Sequence, residues 1–170
     1  TELDRAAEKL LTMVVTPEEA TRKLYGEVYH NFVQPVSVYV AASCKDIGKP
    51  YSRAGFGVYW GPADARNTAI RINEASESRA ALLAVLHVVL AVPRDRSVVI
   101  YTSSHYAIRS FCYWAGEYAT SGWLCAHGDV LRDAATAIQQ RTAPLRFYPL
   151  KAEPNVHAQS AQKLAQEATS

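Results

Sequence analysis

The sequence predicts an α/β domain built on one mixed, five-stranded sheet, and three observations carry that reading. Three β-rich runs follow Pro35, joined by turns too short for a crossover, as in an antiparallel meander. SVVIY (residues 97–101) is continuously apolar, the pattern of a strand buried on both faces of a parallel sheet. Helical periodicity and strand runs then alternate to the C-terminus, giving the order βββαβααβα.

Residues 1–34 read as an N-terminal helical arm, and residues 35–170 as the domain. LDRAAEKLLTMVV sets Leu3, Ala6, Ala7, Leu10, Leu11 and Val14 on one face at helical spacing. In TPEEATRKLYGEVYHNF, Thr16 stands as N-cap, Pro17 takes the first helical position and Glu19 completes a capping box. Leu24, Val28 and Phe32 share a face of this second helix. The meander strands are VSVYVAA (36–42), AGFGVYWG (54–61) and NTAIRI (67–72), separated by the turn-rich KDIGKPYSR and by PADAR. SESRAALLAVLHVVLAV follows as a helix capped by Ser76 or Ser78, with Leu82, Leu83, Leu86, Val89 and Leu90 facing inward. PRDR ends it. After SVVIY come a helix over HYAIRSFCYWAGEY, a loop at ATSGWLCAHG and a helix over DVLRDAATAIQQR. LRFYPL is the last strand, KAEPNV a loop and HAQSAQKLAQEA a polar final helix.

Composition bounds the function more than it names it. With 170 residues, 49% hydrophobic and 20% charged, the chain suits one globular domain with a real core. A formal charge of +2 is too weakly basic to mark a nucleic-acid binder by itself. No apolar run approaches the roughly 18–20 residues that span a bilayer, so no membrane role is expected. Cys44, Cys112 and Cys125 form no CxxC pair and the histidines show no metal-ligand spacing, which argues against zinc. Free thiols in a reducing, intracellular compartment are the expectation. The chain opens on Thr1, which suggests an excised domain or processed fragment.

Several strings carry a resemblance. VYVAASC (38–44), RAGFGVYWGP (53–62), SRAALLA (78–84), IYTSS (100–104), YWAGEYATSGW (113–123) and KLAQEA (163–168) occur in this order. Together they resemble ribonuclease H of the eukaryotic type 1 class over residues 36–168. The arm before Pro35 has no counterpart in that catalytic domain. The resemblance implies a ribonuclease H-like fold and cleavage of the RNA strand of RNA–DNA hybrids, with two Mg²⁺ ions held by four carboxylates. Two hard divalent ions about 4 Å apart need several anionic oxygens to offset their charge and to fix the attacking water and leaving oxygen.

Carried over one at a time, those four positions fall on Ala41, Ala81, Ser103 and Gln162. None is a carboxylate. The resemblance therefore implies a catalytically degenerate member: no enzyme, no metal and no cofactor. Asp46, Glu74, Glu77 and Glu153 are acids near the site, but all are expected in turns or loops, and a metal needs oxygens placed within tenths of an ångström. Ser103 as a nucleophile needs a base and an oxyanion hole. His105, two residues on, is expected to leave the helix in another direction. Ser103 reads as a remnant.

The family also grips the DNA strand with an aromatic and basic ledge and a polar phosphate pocket. Trp114 and Tyr118 fall on the ledge's aromatic positions and Ser76 on a pocket threonine; with Cys44 they are the candidate nucleic-acid remnants. Against this, the pocket arginine falls near Glu74, and other polar contacts fall on Ile47, Glu77 and Ser78. No Lys or Arg occurs from Trp114 to Gly128, and Glu117 is added. Phosphate neutralisation supplies most non-specific affinity, so this surface is expected to hold a hybrid poorly. Arg53 and Arg79 read as structural or solvated, and Trp60 and Trp123 as packing residues. Loss of charge with retention of Trp114, Tyr118, Trp123 and Leu124 makes WAGEYATSGWLC the candidate protein-binding segment, unless its rings fold back into the monomer. Protein partners through this segment or the N-terminal helices are expected. The function expected is a non-catalytic scaffold in an RNA- or nucleic-acid-processing assembly; the alternative is a weak, non-cleaving binder of RNA or hybrid.

Overall fold

A computed structural model describes residues 35–114, 119–150 and 155–170. The two helices expected in the arm lie outside the described residues. Five strands are present among the described residues: β1 (Val36–Lys45), β2 (Arg53–Tyr59), β3 (Thr68–Ile72), β4 (Val98–Thr102) and β5 (Leu145–Pro149). Their order in the sheet is β3-β2-β1-β4-β5. The meander is antiparallel as expected, with Ala41 opposite Gly57 and Phe56 opposite Ile70. β4 lies parallel to both β1 and β5, with Val38 beside Ile100 and Ile100 beside Phe147.

The helices are α1 (Glu77–Ala91), α2 (His105–Arg109), α3 (Gly128–Gln139) and α4 (Val156–Ala168). Val38, Phe56, Ile100, Leu145 and Phe147 point to the sheet face that packs with α1, α2 and α3, and this is the main core. Phe111 stacks on Phe147 at 5.6 Å there. On the opposite face α4 packs over β1, β2 and β3. Gly57 permits its close approach: a Cβ there would stand 2.5 Å from the Ala161 carbonyl oxygen. A smaller cluster of Ala41, Ala161 and Ala165 seals that contact.

Three local expectations change. β1 runs on to Lys45 because Ser43, Cys44 and Lys45 find partners in Gly55, Ala54 and Arg53. Leu90 does not face inward but is 69% exposed, since the buried stripe of α1 runs through Leu82, Val85, Val88 and Val89. Two residues past Val88, Leu90 lies about 200° round the helix. The helix after β4 is interrupted: at Ser110 it widens into a π-helical turn (Ser110–Trp114). The extra residue per turn keeps Ser110, Phe111 and Cys112 inside while Tyr113 faces out.

Candidate functional site

β1 and β4 are neighbouring parallel strands with Val40 beside Thr102, so Ala41 and Ser103 emerge next to each other at their carboxyl ends. The N-terminal half of α1 and the middle of α4 close over that edge. A hollow of about 310 Å³ results, lined by Ala41, Ala81, Ser103 and Gln162 together with Glu77 and His105. Four positions, from Ala41 to Gln162 in the sequence, thus share one small space. Thr102, Ser104 and Tyr106 also line it and were missed by sequence reasoning. Their position on the turn around Ser103 was the available signal.

The chemistry of the lining is almost neutral. Ala41 and Ala81 offer methyl groups and are 8% and 5% exposed. The Gln162 amide donates across from α4 to the Ala42 carbonyl at 3.5 Å. Two of the hydroxyls are spent on the turn: Thr102 accepts from the Ser104 amide at 3.0 Å, and Ser104 accepts from the Ala107 amide at 3.1 Å as the cap of α2. Glu77, exposed in the first turn of α1, is the carboxylate of the lining. Asp46 is instead held by Arg53 at 2.7 Å, Glu74 stands 3.7 Å from Arg79, and Glu153 lies outside the described residues. Among the described residues no group of three or more His, Cys, Asp or Glu side chains is placed to hold a metal ion. Among the described residues the lining offers one carboxylate, one imidazole and a few hydroxyls, which do not fit a pair of hard divalent cations.

The residues expected to touch nucleic acid or protein are distributed unevenly. Ser76 caps α1, its hydroxyl accepting from the Arg79 amide at 3.2 Å. The Cys44 thiol points to the Ala75 carbonyl at 3.8 Å. Trp114 is half-buried at the end of the π-helical turn with the Arg109 guanidinium 5.7 Å from its ring, and Tyr118 lies outside the described residues. Trp123 is buried at 5% exposure in the main core, as its reading as a packing residue expects, so as a candidate binding residue it offers no free face. The cause is local backbone geometry. Gly122 and Trp123 both have positive φ, +72° and +63°, which turns the chain inward. Gly128 completes the turn, because any Cβ there would collide with the Trp123 carbonyl. The next residue, Leu124, is pushed outward and is 88% exposed, and Tyr113 is 61% exposed.

Arg79 and Arg53 are committed to structure. Arg79 clamps Asp129 of α3, and Arg53 binds Asp46 and donates to the Thr169 carbonyl. Trp60 packs against the core with Arg66 over its ring at 4.4 Å. None of the three cysteines is in a disulfide, and burial pushes the Cys112 thiol up, which removes it as a ready nucleophile. Among the described residues no helix is long and apolar enough to cross a membrane.

Comparison with known proteins agrees with this architecture. The family model for RNase H matches residues 33–168. Ribonuclease H1 of Mus musculus is 31% identical over 100 residues, which cover 56% of this chain and 34% of that protein. Ribonuclease H1 of Homo sapiens is 32% identical over 98 residues, covering 55% and 34%. The matched stretch therefore spans about a third of the length of these curated relatives. Among solved structures, the crystal structure of LC9-RNase H1, a type 1 RNase H with the type 2 active-site motif, superposes with TM-score 0.60 at 21% identity, over 81% of this chain and 74% of that one. The solution structure of the PFV RNase H domain gives 0.61 at 17% identity, over 81% and 96%. The foamy viral protease-reverse transcriptase in complex with RNA/DNA hybrid gives 0.61 at 16% identity, over 84% and 21%. These structural likenesses speak for the fold alone. With the family model covering the meander, the parallel strands and the closing helix alike, the chain belongs to the RNase H family.

Proposed function

We propose that this domain is a non-catalytic RNase H module, a pseudonuclease, serving as an intracellular protein-interaction scaffold in an RNA- or nucleic-acid-processing assembly. The observation that carries the reading is the convergence of Ala41, Ala81, Ser103 and Gln162 on one hollow. The fold is kept, and the residues that the resemblance sets at the family's carboxylate positions lie together, yet they present methyl, hydroxyl and amide groups. Clustered carboxylates without their metals repel one another, so neutral residues favour a fold released from catalysis.

The partner surface in this reading is the Trp114–Cys125 segment, now centred on Leu124 and flanked by Tyr113. An exposed apolar side chain and an exposed aromatic, with no Lys or Arg from Trp114 to Gly128, suit a protein contact better than a phosphate backbone. One observation favours the second reading, a non-cleaving binder of RNA or hybrid: Arg109 over the Trp114 ring is an aromatic and basic pair of the kind that stacks bases.

Incubation of the domain with labelled RNA–DNA hybrid in Mg²⁺ and in Mn²⁺ tests the first claim. No cleavage is expected, and cleavage that survives rigorous purification overturns it. Binding to the same hybrid across a salt series separates the two non-catalytic readings. Tight binding with a steep salt slope favours the nucleic-acid binder.

A further inference from the structure

The sheet face opposite the main core carries an aromatic row that the site does not use. Tyr59, Tyr39, Tyr101 and Tyr148 sit in register across β2, β1, β4 and β5. Tyr39 stacks on Tyr101 at 4.5 Å and 13°, and Tyr101 meets Tyr148 at 5.1 Å. The start of α4 attends to one half of the row: the His157 ring lies 5.3 Å from Tyr39 and 5.8 Å from Tyr59. α4 then runs over β1, β2 and β3, so the β4 and β5 half of this face has no helix over it among the described residues. That half is the parallel part of the sheet, and parallel strands are covered on both faces as a rule. Val99, one row down from Tyr101, is 7% exposed, and Tyr101 and Tyr148 are half-buried.

We propose that this strip, with Tyr101 and Tyr148 at its centre, is the docking site for the chain's own residues 16–32. Three facts select that occupant. The segment presents Leu24, Val28 and Phe32 at helical spacing, an apolar stripe that needs a cover. It ends where the strip begins: the chain enters the sheet at Val36, whose amide bonds the Ser97 carbonyl at 2.9 Å beside the first residue of β4. The dimensions also agree. One helix, about 10 Å across, is wide enough to cover two neighbouring strands about 4.8 Å apart. Tethering by three residues, Val33 to Pro35, gives an effective concentration in the millimolar range, above that of a separate partner. The arm is thereby assigned to the fold, and the Leu124 surface is left as the route to other proteins.

The test is tyrosine nitration of the full chain by tetranitromethane, mapped by mass spectrometry. Tyr51, 58% exposed in the turn after β1, serves as the internal reference. Tyr101 and Tyr148 are expected to react several-fold more slowly than Tyr51 in monomeric protein, and to approach its rate in Leu24→Asp/Val28→Asp. Equal rates in the wild type, or slow rates unchanged in the variant, overturn the proposal. Protection that vanishes on dilution points to a second copy and overturns it too. Should that variant fail to fold, Tyr148→Lys reads the same contact from the sheet side. Hydrogen exchange across residues 16–32 is then expected to rise about tenfold while β2 keeps its protection. Unchanged exchange there overturns the assignment.

Discussion

Arg79 of α1 grips Asp129 of α3 with both terminal nitrogens of its guanidinium, at 3.0 and 2.7 Å. The fork geometry makes this a well-formed ion pair between two helices, and it ties the helix that lines the hollow to the helix behind the Leu124 loop. The Arg79 hydrogen bonds hold the Asp129 carboxyl at about 2, below the usual carboxylate range. A carboxyl lowered on folding adds stability that is complete above its unfolded value and is lost as pH falls through the folded one. Asp129 is 58% exposed, so solvent screening keeps the effect small. Asp129→Asn should cost about 0.5–1 kcal/mol at neutral pH, and the difference from wild type should shrink progressively as pH falls from roughly 4 to below 2. Urea melts at several pH values check this; a difference undiminished at pH 2 contradicts it.

Gly57→Ala should destabilise the domain by about 1–3 kcal/mol, the range for overpacking. The new methyl would press on backbone atoms of α4 at Ala161 and Ala165, which have no rotamer with which to yield. Because α4 also positions Gln162, the same variant should widen the hollow. Denaturant titration reads the first effect. A neutral or stabilising result would mean that α4 slides on the sheet, contrary to the close contact seen at this glycine.

Restoring acids to the hollow should be harmful without metal and rewarded by it. Ala41→Asp, Ala81→Glu, Ser103→Asp and Gln162→Asp would crowd four carboxyls into about 310 Å³. In chelator the quadruple variant should melt below the wild type, and Mg²⁺ should recover part of the loss by binding the folded state. Calorimetry of Mg²⁺ binding gives the direct measure. A variant indifferent to Mg²⁺ would mean that the backbone around these positions has drifted from a metal-binding arrangement.

The element order was legible because each strand and helix carries its own pattern: β-branched runs with turn residues between them, then caps such as Ser76 ahead of apolar stripes. The gathering of Ala41, Ala81, Ser103 and Gln162 could be anticipated only through the family resemblance. Ala and Ser are ordinary core and turn residues with no signature of their own. That Trp123 packs was read from the sequence, but the turn that buries it was not legible. It depends on two consecutive positive φ angles and on Gly128 meeting a carbonyl, a tertiary arrangement that composition does not encode. The π-helical turn at Ser110 was hidden for a similar reason, since it answers to the stacking of Phe111 on Phe147, a residue of a distant strand.

Trp123 and Leu124 are adjacent in sequence and should respond oppositely to alanine. Trp123 is in the core, where loss of a large aromatic side chain costs about 3–5 kcal/mol. Trp123→Ala should therefore lower the melting temperature sharply and weaken every association as a consequence of unfolding. Leu124 at 88% exposure supports nothing in the monomer that its removal would disturb. If the loop is a protein contact, Leu124→Ala and Tyr113→Ala should leave the melting temperature unchanged while weakening partner association by about 1–3 kcal/mol each. Association measured on a partner captured by the intact chain, alongside thermal melts of each variant, gives the comparison. Loss of hybrid binding with protein association intact would instead assign this ledge to nucleic acid, and the scaffold reading would yield to the binder.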